Sequence, residues 1–300
     1  MSSMTSALSY LKIWFLAIRP KTLTAAIVPV IVGSVLIYTS SYQVNWWLSV
    51  FALLGALFIQ VGTNLVNDAI DFKKGADTQD RLGPTRVTQA GLISHERVFL
   101  AGLICFGVAM VFGLPLIMAG GWLILVIGLV SLICGYAYTA GPYPLAYKGL
   151  GELFVILFFG IVAVAGTFYL HSGAFSFGVL VAGLQIGALS TVLIAINNLR
   201  DHEGDRLANK LTLAVRFGKT FGRVEISALL LSPFLLNFYW IVHGYTVAAI
   251  FTYALIPLAF RIAKKVWTIE PSAEYNMLLA QSAKLHLGFG LLFSFGILLA

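Results

Sequence analysis

Long apolar runs alternate with short polar connections along the whole chain. The runs that reach the roughly 20 apolar residues needed to cross a bilayer number nine, at about 22–40, 46–66, 98–118, 121–140, 150–170, 175–196, 224–242, 245–262 and 283–300. A Gly-Gly pair at 120–121 marks the turn between the third run and the fourth. The pattern therefore predicts an all-α, polytopic membrane bundle of about nine transmembrane helices, forming one domain over residues 1–300.

Composition agrees with this prediction. Hydrophobic residues make up 59% of the 300 residues and charged residues only 10%, whereas a soluble domain carries about 25% charged residues. The sequence contains neither a Gly-rich phosphate-binding motif nor the Cys and His spacing of a zinc site. These features indicate a protein that is surrounded by the lipid bilayer and has no nucleic-acid partner, and they leave its oligomeric state open.

The charged residues are distributed unevenly between the two sides of the predicted bundle. All nineteen Lys and Arg residues precede the first run or follow the second, fourth, sixth or eighth run, at or near its end or before the middle of the next run. The connections on the other side, at 40–45, 120–121, 171–176 and 243–246, contain no Lys, Arg, Asp or Glu. By the positive-inside rule, the N-terminus and every charged loop are expected in the cytoplasm.

Two polar strings interrupt the apolar pattern. The first polar string runs from Asn64 to Asp71 and continues to Asp80, and the second polar string covers residues 197–205. Together they hold seven of the twelve acidic residues, at the ends of the second and sixth runs. Carboxylates are costly at the edge of a bilayer, so we expect both strings to have a function. Their spacing also predicts an internal duplication of residues 22–140 and 150–262, followed by a last helix at 283–300.

The polar side chains of each string fall on one face of an ideal helix, which turns by about 100° per residue. In the first string, the residues that share this face are Asn64, Asn67, Asp68 and Asp71. In the second string, Glu203 points away from the face shared by Asn197, Asn198, Asp201 and Asp205. Each helix end is thus predicted to present a wedge of amides and carboxylates to the interior of the bundle.

This combination of groups suits a metal-bound phosphate. Magnesium in proteins is typically held by one or two carboxylates together with substrate phosphates and water. Lys and Arg occur in the same loops, and a negatively charged diphosphate needs such partners. Two other interpretations stay open at this point. The acids form ordinary solvated ion pairs of little energetic value, or they belong to a cation-coupled secondary transporter.

Three other polar features allow more than one interpretation. Arg19-Pro20-Lys21 precedes the first run, either as a positively charged anchor or as a ligand site. The Tyr-rich segment 136–148 is either an interfacial aromatic belt or part of a pocket that stabilises a cation. Glu152, at the start of the fifth run, is interpreted as an N-terminal helix charge.

Several segments around these residues resemble the UbiA superfamily of intramembrane aromatic prenyltransferases, whose members are all-helical bundles of nine spans with two aspartate-rich motifs. The resembling segments are 19–23, 64–78, 83–89, 141–145 and 197–201, continued by Arg206, Lys210, 212–214 and Arg216. The general first motif of the superfamily spaces its acids four apart, but position 75 is Gly here and the next acid is Asp77. This variant resembles the naphthoate-type members more than the 4-hydroxybenzoate-type members.

The resemblance implies a set of site residues. Magnesium would be held by Asn67, Asp71, Asp77, Asp201 and Asp205. The diphosphate would be bound by Arg81, Lys148, Asn198, Arg200, Arg206 and Lys210. Catalytic roles would fall to Asn67, Asp68, Asp71 and Asp201, and a pocket for the acceptor or the cation would include Arg19, Asn64 and Tyr143. Whether Asp68 or Asp77 binds the metal stays open.

The resemblance also implies a reaction and a location. A polyprenyl group would pass from polyprenyl diphosphate to 1,4-dihydroxy-2-naphthoate with loss of CO2 and diphosphate, giving demethylmenaquinone in the cytoplasmic membrane of a bacterium. Other aromatic acceptors (4-hydroxybenzoate, homogentisate or a porphyrin) and the more distant transporter remain the alternatives. The donor chain length and the group that accepts a proton from the acceptor are left open.

Overall fold

A computed structural model of the chain describes residues 2–76 and 82–300, with side chains from residue 10 onward. Within these ranges the chain is helical and contains no strand. The helices are α1 (Ser2–Ile18), α2 (Thr24–Val35), α3 (Trp46–Lys73), α4 (His95–Ala137), α5 (Gly151–Ile156), α6 (Ala163–Ser172), α7 (Phe177–Arg200), α8 (His202–Leu207), α9 (Leu213–Val242), α10 (Thr246–Tyr253), α11 (Ile256–Thr268) and α12 (Tyr275–Leu298). Three predicted or candidate residues, Asp77, Asp80 and Arg81, lie outside the described residues.

The helices form the expected membrane bundle. In the described part of the chain, six helices are long and apolar enough to cross a membrane. The number rises to eight if each of two bent helix pairs counts as one span. The prediction of an all-α membrane bundle is therefore confirmed, whereas the count of nine spans stays a prediction.

Helix α4 is a hairpin of two helical segments that reverses at Gly121. A straight helix of its 43 residues would be about 65 Å long, twice the thickness of a hydrocarbon core. Gly121 instead has φ 67° and ψ −156°, a backbone conformation that glycine adopts at little steric cost. The rings of Phe99 and Tyr136, from the two ends of α4, then lie 6.5 Å apart. The turn predicted at Gly120-Gly121 is present, and it brings the ends of α4 back to the same side.

The last helix differs from its prediction. It begins at Tyr275 rather than near residue 283, so Lys284 lies within α12 and not in the connection before it. Residues 275–282 contain Leu, Met, Ala and Gln, which favour helix, and this extends the helix beyond the most apolar stretch. Lys284 is exposed on the outside of α12, where its long side chain can reach towards the interface.

Helix α7 is the central helix of the bundle and carries the second polar string at its end. In its most apolar stretch, 83% of the residues are buried. It packs closely against the helical segment around Gly160, where a Cβ atom would lie only 2.3 Å from the carbonyl oxygen of Gly183. Small residues allow such close backbone contact between helices in membranes. This packing holds α7, and so the second polar string, firmly against α5 and the π-helical segment Leu157–Val162.

The connections converge at the two ends of the bundle. At the uncharged end, the imidazole of His171 contacts the backbone nitrogen of Asn45 at 3.2 Å and the hydroxyl of Ser49 at 3.1 Å. At the charged end, the backbone nitrogen of Leu211 donates a hydrogen bond to the carbonyl oxygen of Tyr147 at 3.1 Å. The two polar strings therefore lie at the same end. The internal duplication of residues 22–140 and 150–262 stays a prediction.

Candidate active site

Residues 64–71 of the first polar string lie near the end of α3. Its four polar side chains on the predicted face, Asn64, Asn67, Asp68 and Asp71, are all buried. Burial follows from their shared side of α3, which packs against α4 and the turns beside it. Buried amides and carboxylates need hydrogen-bond partners, and the partners of each residue indicate what it does.

Asp71 is bound by a tyrosine and lies near an arginine. The Tyr147 hydroxyl donates a hydrogen bond of 2.9 Å to Asp71 Oδ1, and Arg86 Nη2 lies 4.0 Å from Asp71 Oδ2. Burial and the neighbouring Asp71 carboxylate raise the pKa of Tyr147. Tyr147 therefore keeps its proton and acts as a donor. The sequence pattern placed Tyr147 in a Tyr-rich segment but did not single it out.

Asn67 belongs to the same cluster. The Thr139 hydroxyl donates to Asn67 Oδ1 at 2.7 Å, and Lys74 Nζ donates to the Thr139 carbonyl oxygen, also at 2.7 Å. Lys74 Nζ lies 4.4 Å from the centre of the Tyr147 ring, a distance at which a cation is attracted to an aromatic face. Burial lowers the pKa of Lys74, and the charge of Asp71 opposes this shift.

Asp68 has different partners from Asp71. Its carboxylate accepts hydrogen bonds from the backbone nitrogens of Val87 and Thr88, at 3.3 and 3.4 Å, and from the Thr88 hydroxyl. The Thr88 hydroxyl also lies 3.1 Å from the carbonyl oxygen of Asp68. Asp68 thus holds the turn at 86–93, which carries Arg86, against α3. Both carboxylate oxygens of Asp68 are therefore occupied by hydrogen bonds within the protein, which disfavours Asp68 as a metal ligand.

The second polar string is broken by a change of helix. Helix α7 ends at Arg200, and Asp201 has φ −94° and ψ 9°, outside helical geometry, before α8 begins at His202. The arc predicted for Asn197, Asn198, Asp201 and Asp205 assumed one continuous helix, whereas the structure divides this segment between α7 and α8. Backbone hydrogen bonds still join Asp201 N to Asn197 O and Asp205 N to Asp201 O. Asp205 is buried and Glu203 is exposed, as the predicted arc requires.

Arg200 and Asp201 form a two-pronged ion pair. Arg200 Nε donates to Asp201 Oδ1 at 2.8 Å, and Nη2 donates to Oδ2 at 2.6 Å. Arg200 Nη1 donates to Asn276 Oδ1 at 2.7 Å, and the arginine side chain is 0% exposed. Asn276 Nδ2 donates in turn to the carbonyl oxygen of Leu82. Arg200 is therefore committed to contacts inside the protein, and Asn276 is a site residue that the sequence did not indicate.

Lys210 joins the two polar strings electrostatically. Its Nζ donates a hydrogen bond of 3.2 Å to Asp205 Oδ1. Burial opposes its charge, but the carboxylates of Asp205, Asp71 and Asp201 outweigh burial and raise the pKa of Lys210. Burial also raises the pKa of Asp205, although Lys210 opposes this shift. Carboxylates of both strings therefore act on the charge of Lys210.

Asn198 and Glu152 form a buried pair beside this cluster. Asn198 Nδ2 donates a hydrogen bond of 2.6 Å to Glu152 Oε1. Glu152 lies in the first turn of α5, as predicted, but it is only 4% exposed and is bound by Asn198 rather than by solvent. The sequence signal for Glu152 was an acid at the start of a long apolar run. Its contact with Asn198 could not be predicted, because that contact depends on the packing of α7 against α5.

Other predicted residues lie away from the carboxylates or have a local role. Tyr143 is 58% exposed, with Lys148 Nζ 5.4 Å from the centre of its ring, and Lys148 and Arg206 are also exposed. Arg19 Nη2 donates to the carbonyl oxygen of Asn64. Asn64 Nδ2 donates to the carbonyl oxygen of Ile18 and the hydroxyl of Thr22. These last contacts fix the bend between α1 and α2.

An apolar cavity of about 380 Å³ opens beside the converging strings. Its lining extends from Tyr138 and Leu145, at the charged end, to Leu116 and Leu170, towards the uncharged end. The cavity walls come from α2, α3, α4, α6 and the segment 154–163. A long apolar group can therefore lie within the bundle with its polar end among the carboxylates.

The oxygen groups at the charged end fit a hard divalent cation. Asp205 Oδ2 and Asn197 Oδ1 are buried and have no hydrogen-bond partner among the described residues. Magnesium takes oxygen ligands and completes its shell with phosphate and water. Among the residues that the structure describes, no three acidic, His or Cys side chains lie close enough to hold a metal alone. The chain would thus supply part of a coordination shell that a phosphate completes.

Comparisons with known proteins agree with this geometry. The chain is 34% identical to 1,4-dihydroxy-2-naphthoate octaprenyltransferase of Haemophilus influenzae, with 96% of each chain covered. It is 31% identical to the enzyme of the same name from Bacillus subtilis, with 94% of this chain and 91% of the relative covered.

Solved structures have the same fold. A UbiA homologue from Archaeoglobus fulgidus, bound to DMAPP and Mg2+, has a TM-score of 0.63 and 15% identity, with 94% of this chain and 99% of the other covered. The sequence model of the UbiA prenyltransferase family matches residues 26–297. With nearly the whole length matched, and with two polar strings meeting at an apolar cavity, the chain belongs to the UbiA prenyltransferase family.

Proposed function

We propose that this protein transfers a polyprenyl group from polyprenyl diphosphate to 1,4-dihydroxy-2-naphthoate, with loss of CO2 and diphosphate, to give demethylmenaquinone. The observation that carries the proposal is that charges of both polar strings meet beside the apolar cavity. Asp71, Asp201 and Asp205 all act on the charge of Lys210, and Asp71 and Asp205 also act on Tyr138, which lines the cavity. That arrangement suits a substrate with a diphosphate head and a long apolar tail. Bacterial relatives over 30% identical along most of the chain bear the name of this activity.

The donor would lie with its chain in the cavity and its diphosphate at the charged end. Ligand sites in proteins commonly occupy about 300–1,000 Å³, and the cavity volume of about 380 Å³ lies in this range. Lys210 Nζ lies 3.2 Å from Asp205 Oδ1 and Arg86 Nη2 lies 4.0 Å from Asp71 Oδ2, and both groups would donate hydrogen bonds to phosphate oxygens. Arg81 and Arg206, the latter in α8, would add donors.

Magnesium would bind between the two polar strings, with Asn67, Asp71, Asp77, Asp201 and Asp205 as the ligands supplied by the chain. When bound, the metal supplies charge neutralisation for the leaving diphosphate. The solved relative that holds both DMAPP and Mg2+ supports this assignment. The hydrogen bond from Tyr147 would hold the carboxylate of Asp71 in one orientation.

The chain's own residues would then protect and orient the reacting groups. The bond between the allylic carbon and the diphosphate oxygen breaks, and its electron pair leaves with the diphosphate. The apolar cavity walls keep water away from the allylic cation. The aromatic face of Tyr138, at the charged end of the cavity, would stabilise the positive charge. The electron-rich ring of the acceptor attacks the cation.

We place this chemistry at the cytoplasmic face of a bacterial membrane. All nineteen Lys and Arg residues belong to the predicted cytoplasmic side, as the positive-inside rule describes. Both substrates would then be taken from the cytoplasmic side, and the product would remain in the bilayer.

The test uses purified protein in lipid vesicles. Radiolabelled farnesyl diphosphate and Mg2+ are incubated with 1,4-dihydroxy-2-naphthoate, 4-hydroxybenzoate, homogentisate or a porphyrin acceptor. We expect prenylated product only with the naphthoate, with one CO2 released for each prenyl group transferred. Product with another acceptor would reassign the substrate. Solute uptake without any product would support a transporter instead.

A further inference from the structure

Only one of the two carboxylate oxygens of Glu152 has a hydrogen-bond partner among the described residues. Oε1 accepts the hydrogen bond from Asn198, and Oε2 is buried without a hydrogen-bond partner in the described residues. Burying an unpaired carboxylate oxygen is costly, so a group that donates a hydrogen bond to it would stabilise the site. None of the roles assigned to the polar strings uses Glu152.

The position of Glu152 is between the cavity and the carboxylates. Val155, three residues further along α5, lines the cavity and lies only about 60° away around the helix. Glu152 is thus one turn nearer to the charged end than the cavity wall. A Cβ atom on Gly151 would lie 3.0 Å from the Tyr138 hydroxyl, and Tyr138 also lines the cavity.

Charged groups lie near Glu152. Lys210 and Asp205 are close enough to act on its charge, and its charge in turn acts on Glu225 of α9. Lys210 would bind the diphosphate under the proposed function. The reacting carbon of the donor joins the diphosphate to the apolar chain, so it would lie at the level of Glu152.

Other acidic residues of the site are already engaged. Asp68 holds the turn at 86–93, Asp201 is paired with Arg200, and Asp205 is paired with Lys210. Asp71 accepts from Tyr147 and belongs to the proposed metal ligands. Asp205 Oδ2 also has no hydrogen-bond partner among the described residues, but Asp205 belongs to the proposed metal ligands. Glu152 has one unpartnered oxygen, Oε2, and no assigned role in metal or diphosphate binding.

We propose that Glu152 is the catalytic residue that accepts the hydroxyl proton of the aromatic acceptor during prenyl transfer, a role that rests on the proposed function. As the ring carbon that bears the carboxylate bonds to the allylic carbon, the adjacent hydroxyl gives its proton to Oε2, and the ring becomes a β-keto carboxylate. Loss of CO2 leaves its electron pair on the ring as an enolate. The enolate oxygen then takes the same proton back from Glu152, giving the quinol with no net proton change.

The decisive variant is Glu152→Gln. Its amide oxygen still accepts the hydrogen bond from Asn198, but the side chain no longer accepts a proton. General base catalysis contributes about 10²–10⁴-fold, so we expect kcat with 1,4-dihydroxy-2-naphthoate to fall by at least about 100-fold, while the KM for farnesyl diphosphate stays unchanged. Glu96→Gln is the matched control, because that side chain is 70% exposed and lies in the first turn of α4, away from the cavity; it should keep full activity.

A second measurement separates proton transfer from a structural role. Ring-fluorinated acceptors have a more acidic hydroxyl and need less help from a base. We therefore expect the deficit of Glu152→Gln to shrink with these acceptors, whereas a structural defect would be the same for all of them. If Glu152→Gln fails to fold, Glu152→Asp replaces it, and its activity should depend on acceptor acidity more steeply than that of the unmodified protein.

Three outcomes would overturn the proposal: near-full activity of Glu152→Gln, a deficit that is equal for all acceptors, or a rise in the KM for the donor with unchanged kcat. Failure of the proposed function is distinguishable, because the unmodified protein would then give no product with the naphthoate.

Discussion

Asn276 donates a hydrogen bond of 2.9 Å to the carbonyl oxygen of Leu82, a residue 194 positions earlier in the chain. Through its side-chain oxygen, Asn276 also accepts the 2.7 Å hydrogen bond from Arg200. The first turn of the last helix thus connects the loop after the first polar string with the ion pair of the second. Asn276 positions both strings without belonging to either.

Replacing Asn276 should separate these two loops. A hydrogen bond to a charged group contributes about 1.5–3 kcal/mol, and about 1.4 kcal/mol corresponds to a tenfold change in rate. We therefore expect Asn276→Ala to lower kcat about tenfold or more, measured as prenyl transfer in vesicles. The exposed Gln43→Ala, at the uncharged end, serves as the control. Unchanged kcat in Asn276→Ala would show that the contact does not position the site.

The Asp71→Asn and Asp201→Asn variants should both lose activity but should differ in thermal stability. Asp71→Asn keeps an oxygen for the Tyr147 hydroxyl, so we expect loss of Mg2+-dependent transfer with an unchanged thermal unfolding midpoint. Asp201→Asn should also abolish transfer, but it leaves the buried Arg200 without its counter-charge. Breaking a buried ion pair costs about 3–5 kcal/mol, so its midpoint should fall. Full activity in either variant would contradict its assignment as a metal ligand.

Lys210 is expected to act mainly in donor binding. Lys210→Ala removes the positive charge nearest to Asp205 and leaves the cavity intact. The KM for farnesyl diphosphate should rise by about 10-fold or more, since charge-assisted hydrogen bonds contribute about 1.5–3 kcal/mol. Initial rates over a range of donor concentrations measure this, with the exposed Lys264→Ala for comparison. A normal KM would argue against a contact between Lys210 and the diphosphate.

The contacts of Asp68 predict an anchoring role. Asp68→Asn and Thr88→Val both weaken the attachment of the turn at 86–93, so each should reduce activity. Because they act on one interaction, the double variant should lose less than the sum of the two free-energy changes. The Mg2+ concentration for half-maximal rate should not change in any of them. A large increase in that concentration for Asp68→Asn alone would instead identify Asp68 as a metal ligand.

The cavity should limit the length of the prenyl chain. Gly128 lines the cavity, and no atom lies within 4 Å of a Cβ built on it, so a Phe side chain there would occupy cavity space. Gly128→Phe should keep activity with a short donor and lose it with long ones, measured with prenyl diphosphates of increasing length. Gly107 has equally open surroundings but does not line the cavity, and Gly107→Phe should show no length dependence. Equal loss for all lengths would contradict the proposed path of the chain.

The sequence by itself determined the features that depend on local pattern. Apolar runs of membrane-spanning length, the Gly-Gly turn at Gly121 and the face shared by Asn64, Asn67, Asp68 and Asp71 follow from helical periodicity and the cost of polar groups in lipid. Each can be obtained from neighbouring residues alone. The break at Asp201, which divides the second string between α7 and α8, was not indicated by the periodicity.

Only the tertiary structure decided which of these polar residues contact one another. Asn198 meets Glu152, and Tyr147 meets Asp71, because α7 packs on α5 and the turn at 145–148 folds over the end of α3. Asn276 reaches Leu82 because α12 returns to the charged end of the bundle. Such pairs are set by packing between helices far apart in the chain, and the helical period within any one run does not contain that information.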